Sequence, residues 1–177
     1  MDGARLGSGI MSSDYDLDLN KITDCVDMYY IGGTKNGALL GEAIVIVNEI
    51  LKEEFRYHLK QRGALLAKGR LLGLQFKTLF EDNLYFDLTS HANQMAAKLT
   101  TGIEKLGIGF LTKSTTNQIF PILSNKTIEE LSKLYGFYVW SKVGDQNSSI
   151  RLVTSWATKE EMVNEFLSDL RQLIEKN

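Results

Sequence analysis

The chain has 177 residues, 44 % hydrophobic and 24 % charged, with a formal net charge of −2. That supplies one core, or one and part of another, and excludes a disordered chain, a basic nucleic-acid footprint and a polybasic membrane patch. A single cysteine, Cys25, cannot close an internal disulfide, and no apolar run is long enough to span a bilayer, so a cytoplasmic protein is expected.

The opening "MDGARLGSGIMSSDYDLDL" is acidic and broken by glycine, with neither the basic nor the apolar region of a secretory signal. Residues 14–27 mix acidic and apolar positions, which predicts a short helix. "MYYI" and "EAIVIV" are apolar runs suited to strands buried on both faces. The segment between them, "GGTKNGALLG", sets Lys35 in a glycine-rich connection. Residues 49–80 read as mainly helical, with Gly63, Gly69 and Gly73 weakening continuity.

Over 84–106, Leu88, Ala92, Met95, Leu99, Ile103 and Leu106 recur at spacings of three and four and predict a helix that Gly107 stops. "NQIFPIL" reads as a strand carrying the only proline, at an edge or strand end. Thr127 with Glu130, and Thr158 with Glu161, have capping-box spacing before the last two helices, and Gly136 is placed to close the first of these. "FYVWSKV" and "SIRLVTSW" read as strands between them. A boundary near residue 80 is expected, leaving an α/β part over 1–80 and a compact α+β unit over 81–177.

The nucleotide motifs fail: "GGTKNG" lacks the glycine-led order of a P-loop, and "GSGIMS" lacks the last glycine of the dinucleotide fingerprint. His58 and His91 lie far apart and Cys25 has no neighbour at ligand spacing, so no metal site is expected. Three other places carry chemistry. Lys35 suits a nucleophile toward a carbonyl, with a surface hairpin as the even alternative. Asp2 and Arg5 set an acid and a guanidinium three residues apart, or else a surface charge pair. Arg151 lies among the apolar residues of a strand, where it can grip a carboxylate in two places or simply meet solvent.

In combination, "DGARLGSG" at 2–9, "YYIGGTKNGALLGEAIVI" at 29–46, "QRGALLAKGRLLG" at 61–73, "TNQIFPIL" at 116–123 and "IRLVTSWAT" at 150–158 resemble the β-eliminating lyase and threonine aldolase family of pyridoxal-phosphate (PLP) enzymes. The resemblance implies an α/β chain, in which the C-terminal part of a fold type I large domain precedes an α+β small domain. It implies that Lys35 binds PLP covalently, Asp2 pairs with the pyridine nitrogen, Arg5 lies near the phenolic oxygen and Thr34 contacts the phosphate. Arg62, Lys68 and Arg70 are further phosphate candidates, and Arg151 would hold the substrate carboxylate.

The implied reaction is cleavage of a β-hydroxy amino acid to glycine and an aldehyde, in a homo-oligomer acting on a small amino acid. The alternatives are β-elimination from tryptophan, tyrosine or cysteine, and a non-catalytic interaction module. Family members carry about as much chain again before "DGARL", including a phosphate-binding loop and a ring-stacking aromatic residue. The 177 residues alone are therefore expected to bind PLP weakly, to be inactive and to expose apolar strand edges.

Overall fold

The structure is a computed structural model and describes residues 1–176. It divides into two compact units, Met1–Thr89 and Ser90–Asn177, within a helix that contributes residues to both. No helix among the described residues is long and apolar enough to cross a membrane.

In the first unit, helices α1 (Leu6–Ile10) and α2 (Leu19–Thr23) precede the strands β1 (Met28–Gly32) and β2 (Glu42–Ile46). The two strands pair antiparallel, with Tyr30 opposite Ile44 and Gly32 opposite Glu42. On the other side of β1 the chain start runs alongside it. The Tyr30 N–H bonds the Met1 carbonyl at 3.4 Å, and the Gly32 N–H bonds the Gly3 carbonyl at 3.0 Å. Helices α3 (Phe55–Gln61) and α4 (Arg70–Phe80) follow, separated where Gly63 turns into the left-handed region at φ +69°.

Strand periodicity sends Tyr29 and Ile31 into a core with Leu6, Ile22, Leu79 and Tyr85, and turns Tyr30 to the other face. β2 differs from the expectation of burial on both faces: none of its residues is buried, and Ile44 is 47 % exposed. The two-stranded ladder gives it cover on one edge only.

Helix α5 (Leu84–Lys105) buries Ala92, Met95, Leu99 and Ile103 as its periodicity predicts, and Gly107 ends it at φ +77°. The second unit adds β3 (Gln118–Ile119), β4 (Ile122–Ser124), α6 (Asn125–Ser132), β5 (Tyr138–Val143), β6 (Asn147–Val153) and α7 (Glu160–Glu175). β3 and β4 pair with β6 in one continuous register, Ile119 opposite Leu152 and Ile122 opposite Ser149. "NQIFPIL" is thus one strand interrupted at Phe120–Pro121, where the ring nitrogen has no proton for a ladder. β5 lies on the other side of β6, with a bulge at Trp140 between the Val139 and Ser141 pairings.

One face of this sheet packs Ile119, Leu123, Ile150 and Leu152 against Leu99, Ile103, Ile128, Leu131, Val163, Phe166 and Leu170. The expected caps are displaced. α6 starts earlier than Thr127 implies: Ser124 is its N-cap, its Oγ accepting the Thr127 N–H at 3.1 Å. α6 closes at Lys133 instead of Gly136. At α7, Thr158 turns back to accept the Ser155 N–H at 2.9 Å, and the N-cap residue is Lys159. In both places the spacing of a threonine and a glutamate recurs, but a nearer hydroxyl or backbone donor takes the bond.

Candidate active site

The lysine connection is a single 3-10 turn, Thr34–Asn36, between Gly33 and Gly37. Gly37 has φ +105°, a conformation that only glycine adopts without strain, and a Cβ there would lie 2.8 Å from Leu88 Cδ1. Thr34 and Lys35 are exposed, whereas Asn36 is buried. Asn36 Nδ2 donates to the Gly32 carbonyl at 2.8 Å and to Tyr85 Oη at 3.3 Å. Tyr85, wholly buried, also accepts the Gly7 N–H at 3.1 Å. One phenol therefore ties α1, the lysine turn and α5 together, and burial pushes it up to about 12. Held this way, the turn presents Lys35 outward.

The Asp2–Arg5 segment lies against the same turn. A Cβ on Gly3 would fall 1.7 Å from the Tyr30 carbonyl oxygen, and one on Gly32 would fall 2.7 Å from that of Ala4. The backbones meet with no side chain between them. Asp2 accepts hydrogen bonds from the Tyr30 hydroxyl and, at 2.9 Å, from the Ala4 N–H. These two bonds, with the charge of Lys35 nearby, hold its carboxyl below the usual carboxylate range. Tyr30, bonded to that carboxylate, is pushed up to about 12 and stays protonated. Arg5 is half-buried at the start of α1.

The structure thus brings Asp2, Arg5, Thr34 and Lys35 to one place. Arg62 ends α3, Lys68 lies in the following loop and Arg70 opens α4, all three exposed. Arg151 belongs to the second unit, on β6, facing away from the Ile150–Leu152 core. Its guanidinium lies 5.1 Å from the Tyr138 ring centre and 5.2 Å from that of Trp140. Its Nε is buried without a hydrogen-bond partner, and no carboxylate pairs with it among the described residues.

Sequence reasoning passed over Tyr30, Asn36, Tyr85, Tyr138 and Trp140. The period of two in "MYYIG" already turns Tyr30 away from the core, and the same period in "FYVW" puts Tyr138 and Trp140 on one side. Tyr85 and Asn36 left no such signal, because their partners are far away in sequence. His91 is half-buried; its Nε2–H donates to the Thr158 carbonyl at 2.8 Å. Among the described residues no group of histidine, cysteine and carboxylate side chains is placed to hold a metal.

A lysine turn beside an ionised carboxylate, in an α/β unit continued by an α+β unit, defines the class: the architecture is that of part of a PLP fold type I protein. Within that class the chain is similar to threonine aldolases. It is 33 % identical to the low specificity L-threonine aldolase of Pseudomonas sp. (strain NCIMB 10558) over 84 % of its own length and 42 % of that protein's. A Leishmania major threonine aldolase structure superposes with a TM-score of 0.94 at 47 % identity, over 98 % of this chain and 51 % of that one. An aromatic amino acid beta-eliminating lyase/threonine aldolase from Exiguobacterium shares the fold at a TM-score of 0.70 and 16 % identity, over 97 % of this chain and 51 % of that one. No family model matches the chain. It spans about half the length of the relatives it matches.

Proposed function

We propose that the chain is the lysine-bearing, C-terminal half of a PLP-dependent lyase of the threonine aldolase type, cleaving a β-hydroxy amino acid to glycine and an aldehyde. The observation that carries this reading is the Asp2 carboxylate, kept ionised beside the outward-facing Lys35. The donor set fits the cofactor. Lys35 offers a primary amine to its aldehyde, Asp2 a carboxylate to the ring nitrogen, Arg5 a cation near the phenolic oxygen and Thr34 a hydroxyl to the phosphate. When bound, PLP supplies an electron-accepting ring for the pair left at Cα.

The rest falls to the chain's own residues. Asp2, held below the usual carboxylate range first by Tyr30 and then by Ala4 N–H, keeps a proton on the atom it faces. Lys35 holds one end of the cofactor and exchanges protons at Nζ. Arg151 has a guanidinium without a counter-ion among the described residues, on a sheet face lined by aromatic rings, suited to orient the substrate carboxylate. Arg62, Lys68 and Arg70 are exposed cations available to a phosphate in an assembly of copies. Exposed Leu39, Ile44 and Ile50 on the first unit support a homo-oligomer.

Product analysis tests the reading on the protein that contains these residues. L-threonine should give glycine and acetaldehyde in equal amounts, and Lys35→Ala should abolish both. Borohydride reduction and peptide mapping should find PLP on Lys35. Ammonia and a keto acid in place of glycine would identify β-elimination and overturn the aldol reading.

A further inference from the structure

The outer face of the second unit's sheet carries an organisation that the carboxylate role of Arg151 does not itself require. Arg151 pairs with Tyr138 across β5–β6. Continuing the register of β3 and β4 through their break sets Phe120 opposite Arg151 on the other flank. Trp140 is the extra residue of the β5 bulge, and its ring lies 5.2 Å from the Phe120 ring as well as 5.2 Å from the guanidinium. The bulge interrupts the ladder at Trp140, whose indole lies on the same side as Tyr138 and close to the cation.

Aromatic residues would ordinarily be drawn into a core, yet Tyr138 is 69 % and Trp140 is 52 % exposed. Beside them the face opens into a cleft of about 400 Å³ lined by Gly136, Phe137, Tyr138, Arg151 and Val153. The guanidinium therefore has two aromatic rings within 5.2 Å, no anion among the described residues, and an Nε donor with no acceptor.

We propose that Tyr138 and Trp140 are positioning residues that clamp the Arg151 guanidinium in one plane, so that it takes a single carboxylate by a two-pronged contact and rejects the uncharged amide. The inference rests on the reading of Arg151 as the carboxylate-binding residue. Ring faces attract the cation without offering it an acceptor, so they fix its orientation while leaving its donors for the ligand. A carboxylate side chain in either place would hold the arginine equally well and would neutralise it. A lysine in place of Arg151 would lose both the planar fork and the stacking.

The test uses the full 177-residue chain carrying Trp156→Phe, which leaves Trp140 as the single tryptophan. Glycine is the probe and glycinamide its control. Trp140 emission should change saturably with glycine and not with glycinamide. Saturation-transfer NMR titrations should show glycine binding weakened about tenfold by Tyr138→Leu and by Trp140→Leu, and retained in Trp140→Phe. Arg151→Met should lose it. Melting midpoints should stay within about 2 °C of the parent, since both rings are exposed. Glycine binding that needs Arg151 but is unchanged by both leucine substitutions overturns the clamp and leaves the carboxylate role standing. Absent binding, binding that survives Arg151→Met, or equal binding of glycinamide overturns the carboxylate role and the clamp with it.

Discussion

The two units solve the burial problem to different degrees. The second closes thirteen buried apolar residues between one sheet face and three helices, with Ile103, Leu131, Ile150 and Leu170 wholly inaccessible. The first buries six, and leaves Leu39, near the turn that carries Lys35, 88 % exposed and Ile50, past the far end of β2, 79 % exposed. The difference teaches where each unit gets its order. The second is held by packing, whereas the first depends on hydrogen bonds from a few buried polar atoms and on backbone contacts between glycines.

Substitutions can break that contrast, beginning with the largest effect. Leu131→Ala should destabilise the second unit by about 2–5 kcal/mol, the usual range for a buried leucine, read as a shift in denaturant midpoint. Tyr85→Phe removes the acceptor of the Gly7 N–H and of Asn36 Nδ2 and should destabilise the first unit by about 1–3 kcal/mol. Hydrogen exchange should locate that loss at residues 6–10 and 34–37; protection unchanged there would contradict the hub role of Tyr85.

A pH comparison is subtler. Asp2 has a depressed folded pKa, so its contribution is complete above the unfolded carboxylate value, ~3.9, and is lost as pH falls through the lower folded one. The melting difference between the parent and Asp2→Asn should stay flat near neutrality and shrink below pH ~4. Tyr30→Phe should move that window upward, because it deletes the largest cause of the depression. Smallest in stability is Leu39→Ser together with Ile50→Ser, which should change the midpoint by less than about 0.5 kcal/mol while reducing self-association in light scattering. Unchanged association would mean that this apolar surface recruits nothing.

What the chain's pattern made legible follows the same division. The Leu88-to-Leu106 spacing, the strands around Arg151 and the lysine connection were readable because each is a local period or a run of turn residues. The caps at Ser124 and Lys159 were not, since two hydroxyl-bearing residues stood at workable spacings and only three-dimensional competition chose between them. The Tyr85–Gly7 and Asn36–Tyr85 bonds join residues 78 and 49 apart, and no periodicity encodes such a pairing. Asp2 lies close enough to Lys35 to feel its charge, while Arg62, Lys68 and Arg70 lie on exposed stretches.

The glycine pair at positions 3 and 32 has a genetic consequence. Each would direct a side chain at main-chain atoms, those of Tyr30 and of Ala4, and main-chain atoms are the same whichever amino acid stands there. A screen for revertants of Gly3→Ala or Gly32→Ala should therefore return the original glycine at the same site and no second-site suppressors. Gly102 is the opposite case: a methyl group there meets the Leu167 side chain at 2.4 Å, and a shorter residue at 167 makes room for it. Compensated pairs should be recoverable at 102 and 167, whereas no partner allele exists for the glycines that seat Asp2 against the lysine strand.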